Sequence, residues 1–174
     1  MKKFFAVVLI LCLAFSLTAC GGGKTPSETG NGETKDTLVW VQSADVTSLD
    51  PHVGKETPAV TVTCQIFDTL LTMDENNQPA PLLAESYEQV DEKTWTFKLR
   101  QDVKFHDGES MTAEDVVFSI NRARESNYVS YVVEAISDIT ADDDYTVTIT
   151  TKEPYAPLLA SLTVPFTAIV PKHA

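Results

Sequence analysis

A chain of 174 residues, 43% of them hydrophobic, holds enough material for one globular domain with a core. Its formal charge is −12, from 13 basic and 25 acidic side chains. That excess argues against nucleic acid and against anionic lipid as partners, since both need basic surface.

The chain opens with Lys2 and Lys3 and then runs uncharged from Phe4 through Leu17, the basic-then-apolar order of an export signal. The apolar run is shorter than the roughly 20 residues a permanent spanning helix requires. Leu17-Thr18-Ala19-Cys20 resembles the lipobox of bacterial lipoproteins, which implies cleavage before Cys20 and lipid attachment to its thiol. The alternative is an ordinary cleaved signal. Cleavage leaves 155 residues with 11 basic and 25 acidic groups, so acyl chains would supply the membrane anchor. Residues 1–19 are therefore expected to be leader, and 20–36, rich in Gly, Ser, Thr, Pro and Asn, a lipidated flexible tether. Such a tether suits a cell with no outer membrane, with the periplasm as the other location. Gly23-Lys24-Thr25 mimics a phosphate loop, but no glycine stands at the position where that motif begins. Cys64 is left without an intramolecular partner and reads as a small buried hydrophobe.

Leu38 to Val41 is a short run of strand type, followed by turn chemistry at Ser48-Leu49-Asp50-Pro51. Thr57 can cap and Pro58 open a helix reaching about Leu71, with Val62, Ile66, Leu70 and Cys64 spaced for burial. Asp74 to Gln78 reads as a polar turn. Ser86 to Arg100 reads as a hairpin, because Trp95, Phe97 and Leu99 alternate with Thr96, Lys98 and Arg100. Thr112 begins a helix with Glu114 and Asp115 in its first turn and Arg122 and Arg124 in its last, matching the dipole. Ala113, Val116, Val117 and Ile120 give that helix an apolar face. Ile136 to Ala141 and Tyr145 to Thr151 flank a triple aspartate and alternate like a second hairpin. Pro157 can start a short helix through Leu162, and Thr167 to Val170 reads as a last strand.

Four blocks occur in order: Pro81-Leu82-Leu83-Ala84-Glu85-Ser86-Tyr87, Lys93 to Arg100, Val103-Lys104-Phe105-His106-Asp107-Gly108, and Thr112 to Ser119. With Ser48 to His52 and Ile169 to Lys172 they resemble solute-binding family 5, the oligopeptide- and dipeptide-binding receptors of ABC importers. The resemblance implies an α/β fold like the periplasmic binding proteins, type II, of the large three-domain class. It also implies that the chain is an N-terminal fragment: 37–49 the first part of lobe I, 50–162 the extra domain, and 163–174 the return to lobe I. Implied partners are a peptide ligand and the membrane permease subunits, with no cofactor. Nickel chelate, oligosaccharide or another small solute is the rival cargo, and a secreted lipoprotein hydrolase the rival class.

The chemistry such a receptor needs is recognition without reaction. By resemblance, Gly54, Lys55, Glu56, Thr57 and Pro58 line the cleft, and Tyr128 occupies the position of a ligand-facing tyrosine. The plainer readings are a turn before a helix for Gly54 to Pro58 and a core aromatic for Tyr128. His106-Asp107-Gly108-Glu109 matches no metal spacing and reads as a tight turn needing Gly108. Gly108-Glu109-Ser110-Met111-Thr112 lacks the second glycine of a hydrolase elbow, so no catalytic group and no metal ligand is assigned.

Overall fold

The computed structural model describes residues 37–173, so the leader, Cys20 and the whole tether through residue 36 lie outside the described residues. The described residues fall into two units divided between Trp40 and Val41. In the second, α1 (Thr57–Thr63) leads into a small antiparallel hairpin, β1 (Leu71–Met73) and β2 (Pro79–Pro81). A four-stranded sheet follows, built from β3 (Ala84–Gln89), β4 (Thr94–Leu99), β5 (Ile136–Asp143) and β6 (Thr146–Thr151). Its order is β3-β4-β6-β5, antiparallel throughout. The long helix α2 (Ala113–Glu125) crosses β5 and β6, and a short α3 (Leu158–Ser161) packs near β1.

Both expected hairpins form, and register explains why. Phe97 stands opposite Val147 and Tyr87, and Ile149 opposite Trp95 and Ile139, so one face collects the apolar side chains. Phe97, Leu99, Val147 and Ile149 are buried, and Trp95 and Tyr87 pack half-buried beside them. Each fully buried side chain of this kind contributes about 1.5–3 kcal/mol. The opposite face carries Thr94, Thr96, Thr148 and Thr150, with Thr96 and Thr148 sharing a hydrogen bond of 3.2 Å. That is the apolar-in, polar-out pattern of an antiparallel sheet wet on one side.

The expected helix at Thr112 also forms, and its start is more elaborate than a dipole match. Thr112 and Asp115 make a reciprocal capping box, the Asp115 carboxylate accepting the Thr112 N–H at 2.9 Å. Ala113, Val116, Ile120 and Ala123 are fully buried against the sheet, spaced at the three- and four-residue intervals of one helical face. Asp115, itself buried, also accepts the Lys172 N–H at 2.9 Å, which pins the return segment to the helix start.

Five expectations need correction. Leu38 to Val41 forms no strand, because no strand pairs with it among the described residues. The first helix stops at Thr63 instead of reaching Leu71: its Val and Thr residues lose rotamer freedom in a helix, and Leu71 begins β1. Its first-turn flank is Glu56, with no side-chain cap from Thr57. Ending there also exposes Cys64, since the buried stripe is Ala59 and Thr63 and Cys64 falls in the turn beyond. Thr167 to Val170 is no strand either. A 3-10 turn at Pro165–Thr167 precedes a segment held by single bonds, Ile169 N–H to Asp68 O at 2.9 Å and Val170 N–H to Ser119 Oγ at 2.9 Å.

Candidate functional site

Asp50 first organises its own turn. Its N–H donates to Ser48 Oγ at 3.0 Å, its Oδ1 accepts the His52 N–H at 2.9 Å, and its carbonyl accepts the N–H groups of Val53 and Gly54. This is the aspartate-led turn geometry that an Asp-Pro pair favours. Arg122, in the last turn of α2, then grips the turn from the side. Nη1 donates to Asp50 Oδ1 and to His52 Nδ1, both at 2.8 Å, and Nη2 donates to Asp50 Oδ2.

A guanidinium only donates, so His52 Nδ1 must accept and the imidazole proton must sit on Nε2. That proton is used as well, donated to Ala168 O at 3.1 Å. His52 is 1% exposed, and all its polar capacity is committed. Burial, with the adjacent Arg122 charge, holds the imidazole below its ordinary value, which keeps it neutral. The Arg122 hydrogen bond holds the Asp50 carboxyl below the usual carboxylate range. Arg122 was expected only to complement the helix dipole; its structural partner is 72 residues away in sequence.

The predicted contact loop continues from this junction. Gly54 is buried, and a Cβ there would meet Ala59 Cβ at 3.0 Å and Ser48 O at 3.2 Å, so the close approach requires glycine. Lys55, Glu56 and Thr57 are exposed and Pro58 is half-buried at the head of α1, so the stretch is also the turn before a helix. Glu56 Oε2 accepts Thr47 Oγ1 at 3.1 Å. Tyr128 is 47% exposed, which removes the core-aromatic alternative. The Lys55 ammonium lies 5.8 Å from the centroid of the Tyr128 ring, within cation–π reach. Behind them the Ser126 hydroxyl donates to His52 O at 2.6 Å and accepts the Tyr128 N–H at 3.1 Å. The structure therefore brings the expected contact residues, Gly54 to Pro58 and Tyr128, around one junction.

On the other flank of Asp50 and Arg122 lies a cavity of about 510 Å³, walled by Phe67, Val103, Phe105, Met111, Phe118 and Ile169 among others. Sequence reasoning did not find it, because its wall joins Phe118 and Arg122 of α2 to residues from several loops with no shared periodicity. His106 is exposed, and Asp107-Gly108 makes the expected tight turn. Gly108 has φ 94 and donates to Phe105 O at 3.0 Å, while Asp107 Oδ1 accepts the Glu109 N–H at 3.0 Å.

A family model described as Bacterial extracellular solute-binding proteins, family 5 Middle, matches residues 78–174. The periplasmic oligopeptide-binding protein OppA of Escherichia coli (strain K12) is 37% identical over 160 residues, which cover 80% of this chain and 30% of that protein. Among solved structures, Listeria monocytogenes OppA bound to peptide matches with a TM-score of 0.71 at 27% identity, over 76% of this chain and 30% of that one. A nickel ABC transporter from Bacillus halodurans matches with a TM-score of 0.66 at 38% identity, over 75% and 27%. The chain thus spans about 30% of the length of the relatives it matches. The expected type II periplasmic-binding-protein-like α/β class is borne out for the part of that fold these residues represent.

Proposed function

The chain belongs to the bacterial extracellular solute-binding proteins of family 5, and from that premise we propose that it forms one wall of a lipid-anchored receptor for oligopeptides or dipeptides. The receptor captures its ligand outside the membrane and delivers it to the permease of an ABC importer, without catalysing a reaction. The observation that carries this reading is the exposed Lys55–Tyr128 patch, mounted on a hydrogen-bonded junction in which half-buried Asp50 and Arg122 hold the buried His52. A rigid mount beneath exposed polar and aromatic groups is what a binding wall needs, because groups already in place lose less freedom when a ligand arrives. The backbone around Gly54 to Pro58 offers donors and acceptors that an extended peptide can use as an added strand uses a sheet edge.

In this reading residues 1–19 are leader, Cys20 carries the lipid and 21–36 form the tether. Residues 37–49 begin lobe I, 50–162 form the extra domain and 163–174 return to the lobe. A second reading, the same receptor wall serving a nickel chelate or other small solute, is kept by the likeness to the nickel transporter structure. Titration calorimetry of the full-length receptor against a peptide library separates the two. Saturable peptide binding in the micromolar range is expected. Heat only with a nickel–histidine chelate, and none with peptides at millimolar concentration, would establish the second reading instead.

A further inference from the structure

We propose that Ser126 is a positioning residue that holds the two ligand-facing segments in register with each other, an inference resting on the reading that Gly54 to Pro58 and Tyr128 face the ligand. Ser126 stands where α2 ends. Its N–H still closes onto Ala123 O at 3.2 Å, while its own backbone, φ −70 and ψ 132, is already extended. The side chain is therefore at a fixed point on a rigid helix, just as the chain leaves it for Tyr128.

From that point one hydroxyl serves two backbones. Its single proton goes to His52 O at 2.6 Å, two residues before Gly54, and its lone pair takes the Tyr128 N–H at 3.1 Å. The segments so bridged are 74 residues apart in sequence, and the link consists of one oxygen atom. His52 cannot swing away to loosen it, since its ring is held by Arg122 on one side and Ala168 O on the other. Beyond the bridge, the Lys55 and Tyr128 side chains meet at 5.8 Å. That distance depends on where the two backbones stand relative to each other; Arg122 ties the Asp50–His52 turn to the helix, and among the described residues Ser126 alone ties that turn directly to the Tyr128 backbone. The buried apolar helix face, by contrast, holds α2 to the sheet without reference to either loop.

A merely structural serine and a positioning serine differ in what their removal changes. Ser119, on the same helix, makes a comparable tie, accepting the Val170 N–H at 2.9 Å and donating to Asp115 O at 2.7 Å, but it touches neither segment. The experiment uses the full-length receptor and a peptide shown by calorimetry to bind the wild type. Ser126→Ala removes both bonds and is expected to weaken that peptide about fivefold, the net worth of about one hydrogen bond reaching the site, at a temperature well below unfolding. Ser126→Thr, which keeps the hydroxyl, is expected to restore the affinity. Ser119→Ala is expected to lower the melting temperature and leave affinity unchanged. Equal binding by wild type and Ser126→Ala overturns the inference, as does an affinity loss that Ser126→Thr fails to recover. A wild type that binds no peptide overturns the receptor reading first, and the inference with it.

Discussion

Between the sheet and α2 the molecule is held by side chains such as Phe97, Ile149, Val116 and Ile120, fully buried and without a polar atom. At the junction, Asp50, His52 and Arg122 are held by directed bonds, and Arg122 is the shared member that bonds both of the others. The core is non-directional, so it sets how stable the unit is while tolerating small shifts of one element against another. The junction fixes loop position within bond-length limits and contributes far less stability, because exchanging water partners for protein partners gains little per bond.

Breaking the core has the largest expected effect. Phe97→Ala should cost about 3–5 kcal/mol in denaturant unfolding of the full-length receptor, through lost transfer energy and the cavity left under Tyr87 and Trp95. Ligand affinity of the folded fraction should not change; a large affinity loss would mean that the core and the site are not separate systems.

Arg122→Met should come next, at about 2 kcal/mol, since it leaves the Asp50 carboxylate and His52 Nδ1 without their donor. Here affinity should fall along with stability. Loss of stability with unchanged peptide binding would place the junction on the same footing as the core.

A smaller effect follows from pH. In the folded state His52 titrates below 6.5 and Asp50 below 3.8, so on acidification the unfolded chain takes up protons before the folded one. Stability present above pH 6.5 should decline as pH falls, first through His52 and then, below 3.8, through Asp50. Melting temperatures between pH 7.5 and 5 should drop in the wild type, with a shallower slope in His52→Gln; equal slopes would contradict the assignment. His173 acts in the opposite direction, because Asp107 raises its value, but it is exposed and works against screening by water. The smallest effect is Lys55→Met, about 0.5 kcal/mol or less in stability from an exposed cation–π contact, with its consequence falling on ligand selectivity across acidic and basic peptides.

The two regions also differ in how far they can be read from the chain. Alternation at Trp95, Phe97 and Leu99, and again at Val147 and Ile149, marked both hairpins, and Thr112 with its acidic first turn marked α2. Periodic patterns average over many residues and survive local error. The junction has no period: Asp50 and His52 lie in a turn, and nothing around Arg122 separates a gripping arginine from one that merely suits the dipole. Resemblance supplied the expectation of a contact loop at Gly54 to Pro58 and of a ligand-facing Tyr128, whereas the Ser126 bridge and the cavity beside Phe105 arise from tertiary approach alone. The strand expected at Leu38 to Val41 misled for a related reason, since strand character is completed by a neighbour.

The strand order β3-β4-β6-β5 leaves β3 and β5 as the two outer rails of the sheet. Each carries a break in register, at Ala84/Ser86 in β3 and at Ile136/Asp138 and Ala141/Asp143 in β5. Each also bears exposed carboxylates, Glu85 and Glu88 on one rail, Asp138, Asp142 and Asp143 on the other. Two copies meeting rail to rail would find mismatched backbone donors and like charges facing each other, so the sheet resists growing into the fibrillar stacks that long unprotected edges seed.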